Sequence, residues 1–142
     1  MPETQAEICR CIFDSLALRY RQVFQWLMET PPTLPCLGEE PCSPSKQGEP
    51  ERVFLHIIGG GSLNKYLNQF TANSTGATVL AGPQECTAIG NIMLHAKAAG
   101  LVGDIWQMRT IIADSIEMQR YEPEDKELWD EAYGKFEEIV RR

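Results

Sequence analysis

The 142-residue chain has little of what marks a metalloprotein, a membrane protein or a nucleic-acid binder. Histidine occurs twice, at His56 and His95, and neither lies near a group of cysteines. The five cysteines, at positions 9, 11, 36, 42 and 86, are odd in number and include no C-x-x-C pair. The ligand spacing that builds a zinc site is therefore missing, and no metal site is expected. No apolar run approaches the ~20 residues that span a bilayer. The start, Met1-Pro2-Glu3-Thr4-Gln5, has neither the charged nor the apolar region of a signal peptide, so the expected location is cytoplasmic, with no membrane partner. Basic residues are also outnumbered: 13 Lys and Arg face 20 Asp and Glu, for a formal charge of −7. A nucleic-acid or anionic-membrane partner would need a clustered cationic face, so neither is expected.

What is present suits one globular domain with 43% hydrophobic residues. A chain of this size buries roughly 70% of its unfolded surface, which is enough for a core. Residues 3–29 carry Ile8, Ile12, Leu16, Val23 and Leu27 at helical spacing, with Arg10, Arg19, Arg21 and Gln25 available for the wet face. That pattern predicts one long helix, stopped by Pro31-Pro32, whose apolar stripe covers one face of a sheet. Residues 30–51 hold six of the nine prolines and read as a surface loop, in which Cys36 and Cys42 could pair under oxidation.

Val53–Ile58 is short, β-branched and apolar, which predicts a strand buried on both faces, with His56 a hydrogen-bonded core side chain. Leu63, Tyr66, Leu67 and Phe70 then fall at i, i+3, i+4 and i+7. They predict a three-turn helix with Ser62 as N-cap and Gly76 as terminator. Thr78–Ala81 is a second short strand, so the unit is βαβ with two parallel strands and several further helices, an α/β class. Glu85–Ala99 forms the next helix, in which Gly90 suggests close backbone packing; residues 104–116 form another, and Pro123 opens the last.

The three glycines 59–61 join the first strand to its helix. A bare tight turn is one reading, although three consecutive glycines are entropically costly for that purpose alone. A P-loop requires G-x-x-x-x-G-K-[ST], which is absent. A dinucleotide fingerprint requires G-x-G-x-x-G, and Asn64 occupies the third glycine position. The remaining reading is a flat or anionic ligand lying close to backbone N–H groups at a helix start. Asn64 there offers a donor and an acceptor suited to a purine edge.

These residues carry a family resemblance. His56-Ile57-Ile58-Gly59-Gly60-Gly61-Ser62-Leu63-Asn64, followed by Leu67–Asn73, resembles the adenosine segment of FGGY-type carbohydrate kinases. Ala81-Gly82-Pro83-Gln84-Glu85-Cys86-Thr87-Ala88-Ile89-Gly90-Asn91 resembles that family's other C-terminal motif. Ile8–Leu18, Arg109 and Tyr121-Glu122-Pro123 are similar to the branch whose acceptor is L-rhamnulose. Leu63, where a polar residue is common, and Cys86, where a small one is, depart from the pattern. The likeness covers nearly all of residues 1–142 except the proline-rich loop, and corresponds to the C-terminal part of the family's C-terminal domain.

The resemblance implies a partial actin-like, ribonuclease-H-like ATPase fold and transfer of the ATP γ-phosphoryl group, with Mg²⁺, to L-rhamnulose. It assigns Gly60, Gly61 and Asn64 to the adenine end of ATP or ADP, with Gly59 and Ser62 shaping the turn. Glu85 is read as a structural helix-start acid. The phosphate loops and the general-base aspartate of the family have no counterpart here, so no catalytic residue is assigned and this chain by itself is expected to be inactive. With two strands only, the chain is expected to self-associate or to bind the missing portion. The alternatives are a stand-alone nucleotide-binding module and an interaction module that uses the acidic C-terminal helix.

Overall fold

The computed structural model describes residues 2–29 and 53–140, so the proline-rich loop expected at 30–51, with Cys36 and Cys42, lies outside the described residues. The elements are α1 (Gln5–Glu29), β1 (Phe54–Ile57), a 3-10 turn (Gly59–Leu63), α2 (Lys65–Thr75), β2 (Thr78–Ala81), α3 (Cys86–Ala98), α4 (Ile105–Ser115), β3 (Gln119–Tyr121) and α5 (Lys126–Val140). The class is α/β: five helices and one small mixed sheet among the described residues.

Helix α1 starts on a reciprocal cap. The Glu7 carboxylate accepts from the backbone N–H of Glu3 (2.7 Å) and Thr4 (3.1 Å), and the Thr4 hydroxyl accepts from Glu7 N (3.2 Å). The helix is amphipathic as expected, but its orientation is the reverse of the expected one. Ile8, Ile12, Leu16, Val23 and Leu27 are all exposed, whereas Ala17 and Leu18 are buried. Of the side chains assigned to the wet face, Arg21 and Gln25 are half-buried instead, while Arg10 stays exposed but lies over a ring of α2. The Arg10 guanidinium lies 4.3 Å from the Phe70 ring centroid. Arg21 sits 4.3 Å over Tyr133 and pairs with Asp130 at 2.7 Å, and Gln25 accepts from the Tyr133 hydroxyl at 2.7 Å.

Small side chains account for this orientation. Ala17 on α1 is fully buried, and Ser74 Oγ of α2 donates to its carbonyl at 2.6 Å. A hydroxyl as short as serine's reaches the neighbouring helix backbone only where the two helices lie close, and the branched side chains of α1 face outward. Among the described residues helix α1 packs mainly on α2, with further contacts to α5.

Strands β1 and β2 pair in parallel, from Phe54↔Thr78 to Ile57↔Ala81, as the βαβ reading requires. A third strand was not anticipated: β3 pairs antiparallel to β2, with Val79 opposite Tyr121, giving the order β1-β2-β3. The central strand β2 is the buried one. Strand β1 was expected to be buried on both faces, but Phe54 and His56 are exposed while Leu55 and Ile57 are half-buried, because one face of the strand has no cover among the described residues. An apolar run predicts a strand; burial needs something on each side of it.

Gly76 ends α2 in the left-handed region (φ 71°), its N–H donating to Ala72 O at 2.9 Å. Helix α5 starts at Lys126, not at Pro123. The intervening linker is pinned to α2: Gln69 Nε2 donates to Glu122 O (2.7 Å), and Glu124 N donates to Asn73 Oδ1 (2.9 Å). Two small cores result. One joins Ala17, Leu18, Trp129 and Tyr133 with Phe70 and Phe136; the other joins Met93, Val102 and Met108 with Ile89 and Ile112. A Cβ on Gly90 would meet nothing within 4 Å, so the close packing expected there is absent.

Candidate functional site

The parallel pairing brings the exits of β1 and β2 side by side, and two backbone bonds lock them. Gly82 N donates to Ile57 O at 2.8 Å, and Gly59 N donates to Pro83 O at 3.1 Å. The approach is tight, since a Cβ on Gly82 would lie 3.2 Å from Ile58 Cγ2. The two motifs singled out in the sequence thus meet at one point. Gly59 adopts φ +78°, a conformation that side chains other than glycine resist.

From Gly59 the chain makes a 3-10 turn whose carbonyls are taken up from within. Ser62 Oγ donates to Gly59 O (2.7 Å), Asn64 N donates to Gly61 O (3.1 Å), and Asn68 Nδ2 donates to Ser62 O (2.9 Å). Ser62 is buried and closes this turn; it is not the N-cap of α2. The extra 3-10 turn moves the helix start on, and Asn64 caps it, its Oδ1 accepting from Leu67 N at 3.1 Å. The carboxamide is therefore half committed. Its acceptor holds the helix, while its Nδ2 makes no hydrogen bond among the described residues. The Gly60 N–H likewise has no partner there.

Gly60 and Gly61 differ from Gly59. Neither has a positive φ, a Cβ on Gly60 would meet nothing within 4 Å, and one on Gly61 would meet only Ile57 Cγ2 at 3.8 Å. Nothing among the described residues requires them to lack a side chain. Ile58, Leu63 and Tyr66, within or beside the turn, are each more than half exposed. The result is a side-chain-free backbone step at the positive end of α2, with two free donors and apolar neighbours. Chemically it suits a flat, acceptor-bearing ligand.

The turn holds no displaced carboxylate to act as an acid or base. Glu7 and Glu131 are held below the usual glutamate range, Glu7 by the Glu3 and Thr4 N–H groups and Glu131 by its hydrogen bond with Lys135. Both are exposed, on α1 and α5. Glu85 stands at the N-cap of α3, where its side chain makes no cap bond. Among the described residues no three His, Cys, Asp or Glu side chains gather as a metal ion would need, and no helix is long and apolar enough to cross a membrane.

His56 is not the core side chain expected of it. It is exposed and, with Pro83, Arg109, Ile112 and Met118, lines a pocket of about 480 Å³. The residue missed altogether is Asn68, fully buried beneath the turn. Its signal in the sequence was a carboxamide four residues after Asn64 on the same helix face, within an apolar pattern.

Residues 1–99 match the family model described as FGGY family of carbohydrate kinases, C-terminal domain. Among curated proteins, the rhamnulokinase of Bacteroides thetaiotaomicron is 45% identical over 141 residues, 99% of this chain and 26% of that protein. The rhamnulokinase of Pectobacterium carotovorum is 42% identical over 123 residues, 87% of this chain and 21% of that protein. That of Yersinia pestis is 38% identical over 125 residues, 88% and 22% respectively. The chain thus spans about a quarter of the length of the curated relatives it matches.

Proposed function

The chain belongs to the FGGY family of carbohydrate kinases, and we propose that it forms the adenine-facing wall of a kinase that phosphorylates L-rhamnulose to L-rhamnulose 1-phosphate with ATP. Residues 1–142 are then the C-terminal part of the second domain of an actin-like ATPase fold. The observation that carries this reading is the bare step at Gly60 and Gly61, where packing among the described residues does not account for the missing side chains: a Cβ would meet nothing within 4 Å at Gly60 and only Ile57 Cγ2 at 3.8 Å at Gly61.

In this arrangement the adenine ring lies against the Gly60–Gly61 backbone. The Gly60 N–H and Asn64 Nδ2 donate to acceptor atoms of the base, while Gly59 and Ser62 hold the turn. Both donors are neutral, so they orient the nucleotide without stabilising charge at the phosphates. ATP supplies the transferred phosphoryl group, and phosphoryl transfer needs nucleotide, Mg²⁺ and acceptor hydroxyl held in line. No described residue is placed to bind Mg²⁺ or to accept the hydroxyl proton, so those roles fall to the rest of the kinase, and this polypeptide alone turns over no L-rhamnulose.

The outward stripe of α1 and the edge of β1 that has no strand beside it among the described residues support a further element of this reading. Ile8, Ile12, Leu16, Val23 and Leu27 form an exposed apolar row, and such rows mark surfaces that take a partner. The isolated chain self-associates or binds the rest of the kinase through them; a sharply monomeric boundary in analytical ultracentrifugation, together with no binding to the remainder of the kinase, contradicts this.

Titration of the ¹⁵N-labelled chain with ADP tests the site itself. Shifts confined to the Gly60, Gly61 and Asn64 amides and the Asn64 side-chain NH₂ are expected, with weak affinity because half a cleft is present. Tight binding would instead favour a stand-alone nucleotide-binding module. Shifts centred on His56 and Arg109, or none at saturating ADP, refute the assignment.

A further inference from the structure

We infer that Asn68 is a positioning residue: through the Ser62 carbonyl it holds the glycine turn in the shape that presents the Gly60 N–H and the Asn64 carboxamide to the ligand. The inference rests on the reading of that turn as the adenine wall, and it adds a residue that does not touch the ligand.

Asn68 is 0% exposed, and its Nδ2 donates to Ser62 O at 2.9 Å. Its Oδ1 is buried and has no hydrogen-bond partner among the described residues. Exchanging the amide's two ends does not relieve this, because an oxygen would then face the Ser62 carbonyl oxygen. A buried acceptor without a partner is destabilising, and a leucine of similar size would fill the same space with no polar atom to satisfy. The stability of α2 therefore does not explain an asparagine here. What asparagine supplies and leucine cannot is the donor to Ser62.

That donor acts on the turn. The backbone N–H of Asn68 holds the Asn64 carbonyl at 3.0 Å, so one residue grips both sides of the Ser62-Leu63-Asn64 step. Ser62 in turn holds Gly59 through its hydroxyl, and Asn64 N holds Gly61 O. Four carbonyls, those of Gly59, Gly61, Ser62 and Asn64, are thereby taken up from within, and the free Gly60 N–H and Asn64 Nδ2 keep a set relation to each other. Without the Asn68 donor, the Ser62–Leu63 peptide can rotate and that relation is lost.

The test compares Asn68→Leu, Asn68→Asp and Ser74→Ala in the 142-residue chain. Ser74 is a control on the same helix, buried, with its hydroxyl bonded to α1 and not to the turn. Two readouts are taken: amide hydrogen exchange at Ser62, Leu63 and Asn64 without ligand, and ADP affinity by NMR titration, with urea midpoints to match stability. Asn68→Leu is expected to speed exchange across the turn and weaken ADP by about tenfold, the scale of one lost hydrogen bond. Ser74→Ala, for an equal or greater fall in urea midpoint, leaves both within about twofold. Asn68→Asp adds a pH readout. Burial raises its pKa, and the neutral acid restores a donor, so its weakening relative to wild type shrinks as pH falls. The inference is overturned if Asn68→Leu leaves turn exchange and affinity unchanged, or if Ser74→Ala weakens both as much. If the wild-type chain shows no ADP shifts at the turn, the adenine reading falls, while the exchange measurement still decides whether Asn68 holds the turn.

Discussion

The proposed function gives Asn64 two tasks, one for each end of its carboxamide, and substitution can separate them. Its Oδ1 caps α2 through Leu67 N at 3.1 Å, and its Nδ2 is the donor proposed for the base. Asn64→Ala removes both. Loss of an N-cap costs about 1 kcal/mol, within a range of roughly 0.5–2. Asn64→Asp keeps the capping acceptor and places a negative charge at the positive end of the helix, which is worth about 0.3–1 kcal/mol. Stability should therefore rank wild type and Asn64→Asp together, with Asn64→Ala below. Affinity should rank differently. A neutral donor to a purine nitrogen contributes about 0.5–1.5 kcal/mol, or roughly two- to tenfold in Kd. Alanine loses that bond, and aspartate loses it and turns a carboxylate toward an acceptor, so ADP affinity ranks wild type first and Asn64→Asp no better than Asn64→Ala. Urea unfolding followed by circular dichroism and calorimetric titration with ADP measure the two orders. If Asn64→Asp binds ADP like wild type, so that affinity simply follows stability, the division of labour is refuted.

Three further outcomes follow from the packing. Trp129 is buried among Ala17, Leu18 and Tyr133, with its ring 5.6 Å from that of Phe70; Trp129→Ala should cost about 3–5 kcal/mol in urea unfolding, and a loss under about 1 would show that this cluster is not the core. Gly76 sits at φ 71°, so Gly76→Ala should destabilise by about 1–2 kcal/mol although a Cβ meets no atom within 4 Å; an unchanged urea midpoint would place that residue in another conformation. Glu7 has its pKa lowered by the Glu3 and Thr4 N–H groups, so its contribution is complete above the ordinary glutamate pKa and disappears as pH falls through the folded value. Fraying of the first turn of α1 in acid, seen by NMR and absent in Glu7→Gln, is the expected result.

Legibility in the sequence followed how local each feature is. The step from β1 through a turn and α2 to β2 was readable because an apolar run, three glycines and an i, i+3, i+4, i+7 pattern are decided within a few residues. The end of α2 at Gly76 was readable for the same reason. The Thr4…Glu7 capping box at the start of α1 is likewise written in neighbouring residues. Strand β3 was not readable: Gln119-Arg120-Tyr121 is too short and polar to show alternation, and it is a strand because β2 lies beside it. The cap moved from Ser62 to Asn64 because the turn after Gly59 is 3-10, and that choice is made by Gly59, Pro83 and Asn68 together.

The order of the helices and of β1 and β2, the parallel sense of those two strands, and the presence of a backbone-lined step at residues 59–61 were set by the amino acids in line, through propensity and spacing. The tertiary structure alone decided which side of α1 lies inward, because an apolar stripe says that something should cover it and not where the cover comes from. Close approach at Ala17 and Ser74 turned the stripe outward. The same packing put Asn68 under the glycine turn, since a carboxamide acquires a task only when folding sets a carbonyl 2.9 Å from it.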